Sequence, residues 1–514
     1  MRLINIKAFL ERERLMRIGR DAVHLTNILE FRDDEATPYA ILSHRWNDPM
    51  EVDYEQMVEL AKMDKVKRDK IRRRLGYKKI LDTCMRAESD KFKWVWIDTC
   101  CIDKRSSAEL SEAINSMYRW YKNSGRCYAY LHDVRGSFPT KKNDDKYPKS
   151  NGWPEWFSRG WTLQEMIAPK DVRFFDDSWK FIGDKKTLAL TLQDITQVPQ
   201  GILVNGLSGT YRPCIAQIMS WTSNRTTTRV EDKAYSLMGL LDVNMPMLYG
   251  EGRKSFHRLQ LEILRTSDDQ SIFAWRDEAK VRPGSILAED PKFFEHCSEM
   301  ELMDYDDFIE SLKSLFSEEE LPSIDRNHFG TFPTTNRGIQ IWMLLRPYRN
   351  SDSDFQAWLP CRNNPRGPPV TINLAVRNYN FYRYSCSVYE SPTEDSLHFR
   401  QIYLRYQDTP SDDVTFEIDD SAITDIFTCH HSYPSELTGD TFTLTGITPL
   451  CARVYSKGDL RFAVTFGQFF SQGWVHAMSN PPGELEEYCK QELLKGPERT
   501  QSMAEVPSRS ERYG

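Results

Sequence analysis

The sequence predicts an α/β fold in which a mostly parallel sheet flanked by helices is followed by further helices and a C-terminal β-rich domain. Strand-like and helical segments alternate from residue 38 to about 175, a pattern typical of βαβ units with right-handed crossovers. From about 330 onward, apolar and aromatic runs are separated by Pro, Asn, Asp and Ser, which indicates antiparallel strands. A chain of 514 residues is too long for one core, since single cores stop growing near ~250 to 300 residues.

The elements of the front sheet follow in order along the chain. Ser106 and Glu109 form a capping box that begins one helix, and two other helices are predicted over 66–88 and 155–168 from the spacing of their apolar residues. The four predicted strands are 39–43, 92–98, 126–131 and 172–175. Beyond them the pattern turns helical at 212–222, 230–241 and 253–265 and is strand-like at 271–275.

These elements divide the chain into five predicted parts. They are a lead-in at 1–37, a front domain at 38–275 (a core at about 38–175 plus a helical part at 185–265), a linker region at 276–330, a β-rich domain at 331–495, and a tail at 496–514. The tail is polar and charged, so we expect it to be disordered.

Composition and charge exclude several classes of function. The formal net charge is −7, from 68 basic and 75 acidic residues, so no positive excess favours nucleic acid as a partner. No eighteen apolar residues run together, so we expect no membrane span, and the N-terminus lacks the apolar core of a secretory signal. The cysteines include no C-x-x-C pair. We therefore expect no metal and a reducing, cytoplasmic location. Neither a Walker loop nor G-x-G-x-x-G occurs, so we expect no cofactor.

Candidate ligand-binding residues follow the predicted parallel strands. Ser43, His44, Arg45 and Trp46 come at the end of the first strand, and Asp98 comes at the end of the second. Open α/β sheets place their ligand crevices at the carboxyl ends of the strands, so we expect these side chains to share one site. Arg45 is the expected phosphate contact, because its planar guanidinium binds pairs of phosphate oxygens.

Trp161 and Glu165 offer a second part of this site. They lie four residues apart in the predicted helix 155–168, so an aromatic plane and a carboxylate share one helix face. That combination suits a nucleoside ligand.

Each candidate also has a structural interpretation, which the sequence leaves open. A mid-helix glutamate such as Glu165 is usually solvated or salt-bridged, and a tryptophan such as Trp161 is more often a core residue. His44 equally fits a hydrogen-bonded histidine at a strand end. Asp98 equally fits the chemistry of a turn or of a helix cap.

Three blocks of the sequence resemble the signature blocks of the fungal heterokaryon-incompatibility (HET) domain family. They are SHRW at 43–46, VWIDTCCIDK at 95–104 and RGWTLQE at 159–165. A stretch at 227–252, continuing to 268–275, resembles the downstream block of the family. The resemblance covers about 38–275. It implies an incompatibility or immunity-type effector whose front domain triggers programmed cell death, and it says nothing of the β-rich domain.

The front domain also resembles, more remotely, the Toll/interleukin receptor (TIR) domain, whose fold is flavodoxin-like. The shared features are the W-x-x-x-E pair of Trp161 and Glu165 and the order of strand, loop, capped helix and strand before it, although Thr162 stands where the TIR motif often has Cys. In TIR proteins that cleave NAD this glutamate is catalytic. The resemblance therefore implies Glu165 as the catalytic residue of an NAD glycohydrolase, with Ser43, Arg45 and Trp161 around NAD as the substrate.

The alternative function is an interaction module without turnover. Many TIR-like domains are adaptors, so the same resemblance implies self-association or binding to other signalling proteins. One observation separates the two functions. Glu165 either faces a cleft lined by Ser43, Arg45 and Trp161, or it faces solvent.

Overall fold

The structure is a computed structural model that divides into two compact units. One unit is formed by residues 1–266 with 289–299, and the other by residues 267–288 with 300–514. The described residues are 1–492 with gaps at 21, 23–26, 47–48, 208, 210, 278–283, 349–353, 378, 385–396, 408–413, 418–422, 424–425, 434–440, 445–449, 470–471, 482–487 and 490–491. Among the described residues, no helix is both long enough and apolar enough to span a bilayer.

The first unit is built on one sheet with helices around it. Its strands are β1 (Arg2–Asn5), β2 (Leu29–Phe31), β3 (Ala40–His44), β4 (Trp94–Trp96), β5 (Arg126–Tyr130), β6 (Val172–Phe175) and β7 (Phe181–Asp184). Its helices are α1 (Ile6–Arg17), α2 (Tyr54–Glu59), α3 (Lys65–Arg72), α4 (Leu75–Ser89), α5 (Asp98–Cys101), α6 (Ser107–Asn123), α7 (Thr162–Ile167), α8 (Ala189–Thr196), α9 (Gln200–Asn205), α10 (Ile215–Ser220), α11 (Asp232–Tyr235) and α12 (Lys254–Thr266).

The centre of this sheet is parallel and its edges are antiparallel. β3 lies between β4 and β5 and is parallel to both, and β6 is parallel to β5. β1, β2 and β7 pair antiparallel at the edges, in the order β2-β1-β4-β3-β5-β6-β7. All five residues of β3 are buried, as expected of a parallel strand covered on both faces. The predicted parallel-cored sheet, with strands near 39–43, 92–98, 126–131 and 172–175, is confirmed.

The N-terminal residues contribute to the same sheet. Residues 1–37 were expected only to lead into the front domain, yet they contain β1, α1 and β2. The side chain of Asn5 caps α1 by accepting the N–H of Ala8 at 3.2 Å. One of the two hydrogen bonds of the predicted capping box of α6 is present, because Ser106 accepts the N–H of Glu109 at 3.3 Å. The Glu109 carboxylate accepts the N–H of Asp103 at 2.9 Å instead of that of Ser106.

The predicted helix 66–88 is wrong at its middle, where the structure has two helices, α3 and α4. Arg74 separates them in an extended conformation, with φ −68° and ψ 147°. Its guanidinium donates to the carbonyl of Glu51 at 3.2 Å and to the side chain of Gln56 at 2.9 Å. These contacts tie Arg74 to Glu51 and to Gln56 of α2 at the point where the helix is broken, although the apolar spacing continues through it.

The predicted helix 155–168 is also interrupted. A 3-10 helix at Glu155–Ser158 ends at Arg159, whose backbone is extended and bridges to Thr226. The N–H of Gly160 donates to the carbonyl of Thr226 at 3.0 Å, and α7 begins only at Thr162. The bridge to a segment more than sixty residues away takes the place of the helical hydrogen bonds at this point.

The second unit is rich in strands. They are β8 (Glu301–Leu302), β9 (Thr334–Thr335), β10 (Gly338–Pro347), β11 (Asp354–Leu359), β12 (Cys361–Arg362), β13 (Val370–Arg377), β14 (Asn380–Tyr384), β15 (His398–Leu404), β16 (Val414–Glu417), β17 (Thr428–Tyr433), β18 (Thr441–Leu444), β19 (Leu450–Lys457), β20 (Leu460–Phe469) and β21 (Gln472–Ser479), together with the helix α13 (Tyr305–Lys313). The predicted β-rich C-terminal region is confirmed.

Five of these strands close into a ring, like a small barrel. β10 pairs with β11 and with β15, and β13 and β14 complete the circuit between them. A separate four-stranded sheet has the order β17-β19-β20-β21. In that sheet Gly467 of β20 lies opposite the buried Trp474 of β21.

One predicted element of this unit is wrong, and one lies outside the described residues. Residues 271–275 were expected to be strand-like, but Gln270–Phe273 form a 3-10 helix. The Asp269 carboxylate caps its start by accepting the N–H of Ser271 at 2.8 Å, and such a side-chain cap favours a turn over a strand. The disorder expected for 496–514 falls on residues that the structure does not describe.

Candidate functional site

The candidate site lies at the carboxyl edge of the parallel strands. Because β4 and β5 flank β3, the chain leaves β3 toward one side and later crosses to the other, which makes a topological switch point where open α/β sheets place their ligands. Ser43 and His44 end β3, Asp98 follows β4, and His132 follows β5. Polar residues that follow three neighbouring strands thus lie at this edge of the sheet.

Ser43 and Glu165 form the innermost contact of the site. The hydroxyl of Ser43 donates to the Glu165 carboxyl and accepts the indole N–H of Trp156 at 2.8 Å. Ser43 and Trp156 are fully buried, and Glu165 is 6% exposed. Glu165 therefore faces neither a cleft lined by Arg45 and Trp161 nor solvent, but a buried serine at the end of β3.

Burial controls the protonation of Glu165. The pKa of Glu165 is raised to about 8, mainly by removal from water and also by the charge of Asp98, while hydrogen bonds from Ser43 and Tyr121 oppose the rise. A carboxyl with this pKa is mostly protonated at neutral pH. Glu165 is thus a neutral acid in the free protein, whereas the sequence led us to expect a carboxylate.

Trp46, Asp98 and His44 form a second group, in which Trp46 is exposed to solvent and His44 is buried. The indole N–H of Trp46 donates to the Asp98 carboxylate at 2.7 Å, and the ammonium of Lys104 lies 3.5 Å from the centre of the Trp46 ring. Trp46 as a whole residue is 39% exposed. An exposed aromatic plane fixed beside a carboxylate is a surface on which a planar heterocycle can stack.

His44 is buried between two carboxylates. Its Nε2 lies 3.8 Å from Asp98 Oδ1 and 3.9 Å from Glu51 Oε2, too far for hydrogen bonds. Burial, followed by the positive charge of Lys79, holds the pKa of His44 well below its usual value. Among the described residues neither ring nitrogen of His44 has a hydrogen-bond partner. The imidazole is therefore neutral and available to donate or accept one proton.

Arg45 turns away from Ser43 toward a third group. Its guanidinium lies 2.6 Å from the Glu155 carboxylate and 3.5 Å from His132 Nε2. His132 Nδ1 lies 3.9 Å from the carboxylate of Asp133. Burial lowers the pKa of His132, and the two neighbouring carboxylates oppose that shift. The Glu155 carboxylate partly neutralises the charge of Arg45, so a phosphate would have to compete with Glu155 for the guanidinium.

Sequence reasoning missed three members of this edge. His132 follows β5 just as Asp98 follows β4, so the same strand-end rule could have found it. Lys79 of α4 lies 2.6 Å from Glu51 and carried no signal, because a lysine inside an amphipathic helix is usually solvated. Burial lowers the pKa of Lys79. Trp156 carried no signal either, because its role depends on which way the side chain of Ser43 points.

The indole of Trp161 lies apart from this edge. Trp161 precedes α7 and hydrogen-bonds to the carboxylate of Asp232, at the start of α11. Trp161 and Glu165 are one helical turn apart, as predicted, but their side chains have different partners. The structure thus brings Ser43 and Glu165 together and ties Trp161 to the downstream helices.

Two buried cations hold α7, the helix that carries Glu165. At its start, the Arg225 guanidinium donates to the carbonyl of Arg159 at 2.8 Å and to the hydroxyl of Thr162 at 3.0 Å. At its end, the ammonium of Lys185 donates to the carbonyls of Met166 at 3.1 Å and Ile167 at 3.3 Å, and also to that of Pro169. Burial lowers the pKa of Lys185 to about 8.

The edge therefore contains groups suited to acid–base chemistry rather than to metal binding. Asp98 and Glu165 are two carboxyl groups at this edge in different surroundings, an arrangement that can separate the pKa values of two such groups. Burial raises the pKa of Asp98 as well, but Lys104 and the Trp46 N–H oppose the rise. In the part of the chain that the structure describes, no cluster of three His, Cys, Asp or Glu side chains is arranged around a metal position.

Comparison with known proteins identifies relatives of this region. The family model described as heterokaryon incompatibility protein (HET) matches residues 39–150. The vegetative incompatibility protein HET-E-1 of Podospora anserina is 41% identical over 249 residues, which are 47% of this chain and 17% of that protein. The chain thus aligns with a small part of this relative. No solved structure matches the chain, so the likeness to TIR domains stays a prediction.

Proposed function

Because the chain carries a heterokaryon-incompatibility domain, we propose that it is an incompatibility effector whose first unit triggers programmed cell death. The support is the 41% identity to a vegetative incompatibility protein over 249 residues. Those residues include the length of a whole domain, so the likeness is not confined to a short motif. The effector would act in the cytoplasm, alone or with other signalling proteins.

The proposed chemistry is hydrolysis of the bond between nicotinamide and ribose in NAD. The C1′–N bond breaks, nicotinamide leaves with the electron pair, and the ribose carbon becomes oxocarbenium-like. Water adds to that carbon and loses one proton, which gives ADP-ribose, nicotinamide and H⁺. The protein must stabilise a developing positive charge and accept a proton.

The observation that carries this proposal is the pair of carboxyl groups, Asp98 and Glu165, at the edge of the sheet. The Asp98 charge is felt at Glu165, whose pKa it raises. In the proposed mechanism Asp98 faces the oxocarbenium carbon, and the nicotinamide ring stacks on Trp46. Glu165 releases its proton to solvent as the cationic ring approaches, because a nearby positive charge favours the carboxylate. His44, neutral and buried beside Asp98, accepts the proton of the attacking water.

The arrangement of the central strands supports a flavodoxin-like or TIR-like core. Among the four parallel strands the spatial order is β4, β3, β5, β6, so they stand second, first, third and fourth in chain order. Flavodoxin-like folds begin with this order and bind their ligand beside the first strand. In this chain that strand is β3, which carries Ser43 and His44.

The test is nicotinamide release by the purified chain and by matched variants. We expect Asp98→Asn and Glu165→Gln each to lower the rate on the order of 10²-fold. Each removes a negative charge that would stabilise the positive charge developing in the transition state. Asp103→Asn is the control, because Asp103 pairs with Arg105 in a solvent-facing turn. Folded variants that release nicotinamide as fast as wild type would contradict the proposal.

A non-enzymatic interaction module is the second candidate, and one observation favours it. Ser43 and Glu165 satisfy each other in a buried contact, and Arg45 is paired with Glu155, so these groups need no substrate. Under this alternative, Glu165→Gln kills as effectively as wild type in a cell-viability assay at matched expression. Under the enzymatic proposal, toxicity falls together with nicotinamide release.

Both candidate functions include self-association. Enzyme kinetics tests whether a catalytic site forms between protomers or within one protomer. TIR-like enzymes assemble their sites between protomers, so we expect the specific activity to rise with protein concentration or with enforced clustering. A specific activity that stays constant over a wide concentration series would point to a complete site in one protomer.

A further inference from the structure

A cavity of about 360 Å³ lies in the first unit, away from the carboxyl edge of the sheet. It is bordered by the end of α8, the end of α10 and the 3-10 helix at Glu155–Ser158. A volume of this size is that of a small-molecule site. The residues that matter for its chemistry are Trp221, Arg225, Ser220, Ser223, Thr196 and Asn224.

Arg225 gives the cavity a buried positive charge. Its Nε donates to the carbonyl of Trp221 at 3.2 Å. One terminal nitrogen donates to the carbonyl of Arg159 and to the hydroxyl of Thr162. These partners are carbonyl and hydroxyl oxygens, none of which carries a charge. The second terminal nitrogen has no hydrogen-bond partner among the described residues, and the whole residue is 7% exposed.

Trp221, which also lines the cavity, has a second unsatisfied donor. Trp221 is 3% exposed, and within the described chain its indole N–H has no acceptor. A buried donor without an acceptor costs about 1 to 3 kcal/mol, and a buried cation without a counter-charge costs more. Burial lowers the pKa of Arg225 to about 9, and the charge of Glu165 opposes that shift. An oxyanion between the two residues would remove both penalties.

The hydroxyl groups of the cavity offer acceptors rather than donors. Ser220 donates its hydrogen to the carbonyl of Gln217 at 2.7 Å, and Ser223 donates to that of Ser220 at 2.7 Å. Thr196 donates to the carbonyl of Leu192 at 2.6 Å and accepts the N–H of Val198 at 3.3 Å, which leaves its oxygen one lone pair. A hydroxyl whose hydrogen is held by a helix carbonyl turns its lone pairs outward. These oxygens suit a ligand that brings its own O–H groups.

We propose that this cavity binds a sugar phosphate, with the phosphate on Arg225 and Trp221 and the sugar hydroxyls on the oxygens of Ser220, Ser223 and Thr196. The carboxylate of Glu295, which accepts from Asn224 at 3.3 Å, provides a further acceptor for a sugar hydroxyl. The donors of the lining thus suit the phosphate of such a ligand, and the acceptors suit its sugar hydroxyls. The site is distinct from the carboxyl edge and does not depend on the proposed hydrolysis of NAD.

The test measures binding of three probes to the full chain by calorimetry at constant ionic strength. The probes are ribose 5-phosphate, inorganic phosphate and ribose. We expect ribose 5-phosphate to bind at least tenfold more tightly than phosphate, and ribose alone not to bind measurably. Absence of saturable binding of ribose 5-phosphate up to ~10 mM, a concentration that detects even millimolar affinity, would overturn the proposal.

Variants test which lining residues contact the phosphate and which contact the sugar. Trp221→Phe removes an N–H that has no partner in the described free protein, so it should weaken both phosphate and ribose 5-phosphate at least fivefold. Ser223→Ala should weaken ribose 5-phosphate alone. Ser314→Ala is the matched control, because Ser314 makes the same hydroxyl-to-carbonyl bond to Ser311 at 2.6 Å in an exposed position at the end of α13. Equal affinity in all three variants would show that ribose 5-phosphate binds elsewhere and would overturn the assignment.

Discussion

Ser43 donates its hydroxyl hydrogen to the carboxyl of Glu165 across 122 positions of the chain. One partner ends the central strand β3, and the other lies on the short helix α7. Trp156 completes the contact by donating its indole N–H to the same hydroxyl at 2.8 Å. The protonation of Glu165 therefore depends on whether the end of β3 and the helix α7 stay together.

We expect the free energy of unfolding to contain a pH-dependent contribution from Glu165. The folded pKa is raised from 4.5 to about 8, so the stabilising contribution is complete below pH 4.5 and is lost as the pH rises through 8. The loss is on the order of a few kcal/mol, because a difference of one between the folded and unfolded pKa values corresponds to about 1.4 kcal/mol. Chemical denaturation from pH 4.5 to 8.5 measures it.

Glu165→Gln should remove this contribution, because the amide stays neutral at every pH. The variant should therefore gain stability relative to wild type as the pH rises. Glu59→Gln serves as control, since Glu59 is a solvent-exposed partner of Lys62 on α2. A wild-type profile parallel to that of Glu165→Gln would show that Glu165 ionises normally in the folded protein.

Ser43→Ala should destabilise the first unit by about 1 to 3 kcal/mol, because it leaves the buried indole N–H of Trp156 and the buried carboxyl of Glu165 without their shared partner. Thermal unfolding followed by circular dichroism measures the change. Ser314→Ala, at an exposed position, should change the unfolding free energy by no more than about 0.5 kcal/mol. Equal midpoints for the two variants would contradict the importance of the Ser43 contact.

His44 should remain neutral in the folded protein well below pH 6.5, because burial and Lys79 lower its pKa. Since the unfolded chain takes up a proton near 6.5 and the folded chain does not, the contribution of His44 to stability is lost as the pH falls through 6.5. NMR of the ring carbons and nitrogens, assigned with His44→Gln, measures the titration. An imidazole that titrates near 6.5 in the folded state would contradict the burial.

Gly467→Ala should destabilise the second unit by about 1 to 3 kcal/mol through overpacking. A Cβ at this position would lie 2.0 Å from the ring of Trp474 on the neighbouring strand, so the buried indole would have to move. Gly201→Ala is the opposite control, because nothing lies within 4 Å of its Cβ position in α9. There alanine should stabilise the helix by about 0.5 to 1 kcal/mol. Denaturation curves of both variants compare the two positions.

The sequence predicts the sheet well and the side-chain contacts poorly, for physical reasons. Apolar runs bounded by turns locate β3, β4, β5 and β6, because burial on both faces leaves a strong local pattern. The interruptions at Arg74 and Arg159 depend on partners from distant segments, and no periodicity inside the helix contains them.

The same limit applies to the candidate site. The rule that ligands bind beyond strand ends correctly places His44 and Asp98 near one another, within 3.8 Å. It does not reveal that Arg45 turns to Glu155 or that Ser43 lies inward on Glu165. Those outcomes depend on which face of the strand each side chain occupies and on where the chain returns after the 135–154 loop.

Lys185 has a consequence for how this chain can change in evolution. Its ammonium stands where water or the N–H groups of a following turn usually end a helix, and it serves carbonyls sixteen to nineteen positions earlier. Loss of the amine would leave the end of α7 without donors, so a substitution at 185 is tolerated only with a compensating change near 166–169. We expect these positions to covary among relatives, and the hairpin of β6 and β7 to be inherited together with the helix that carries Glu165.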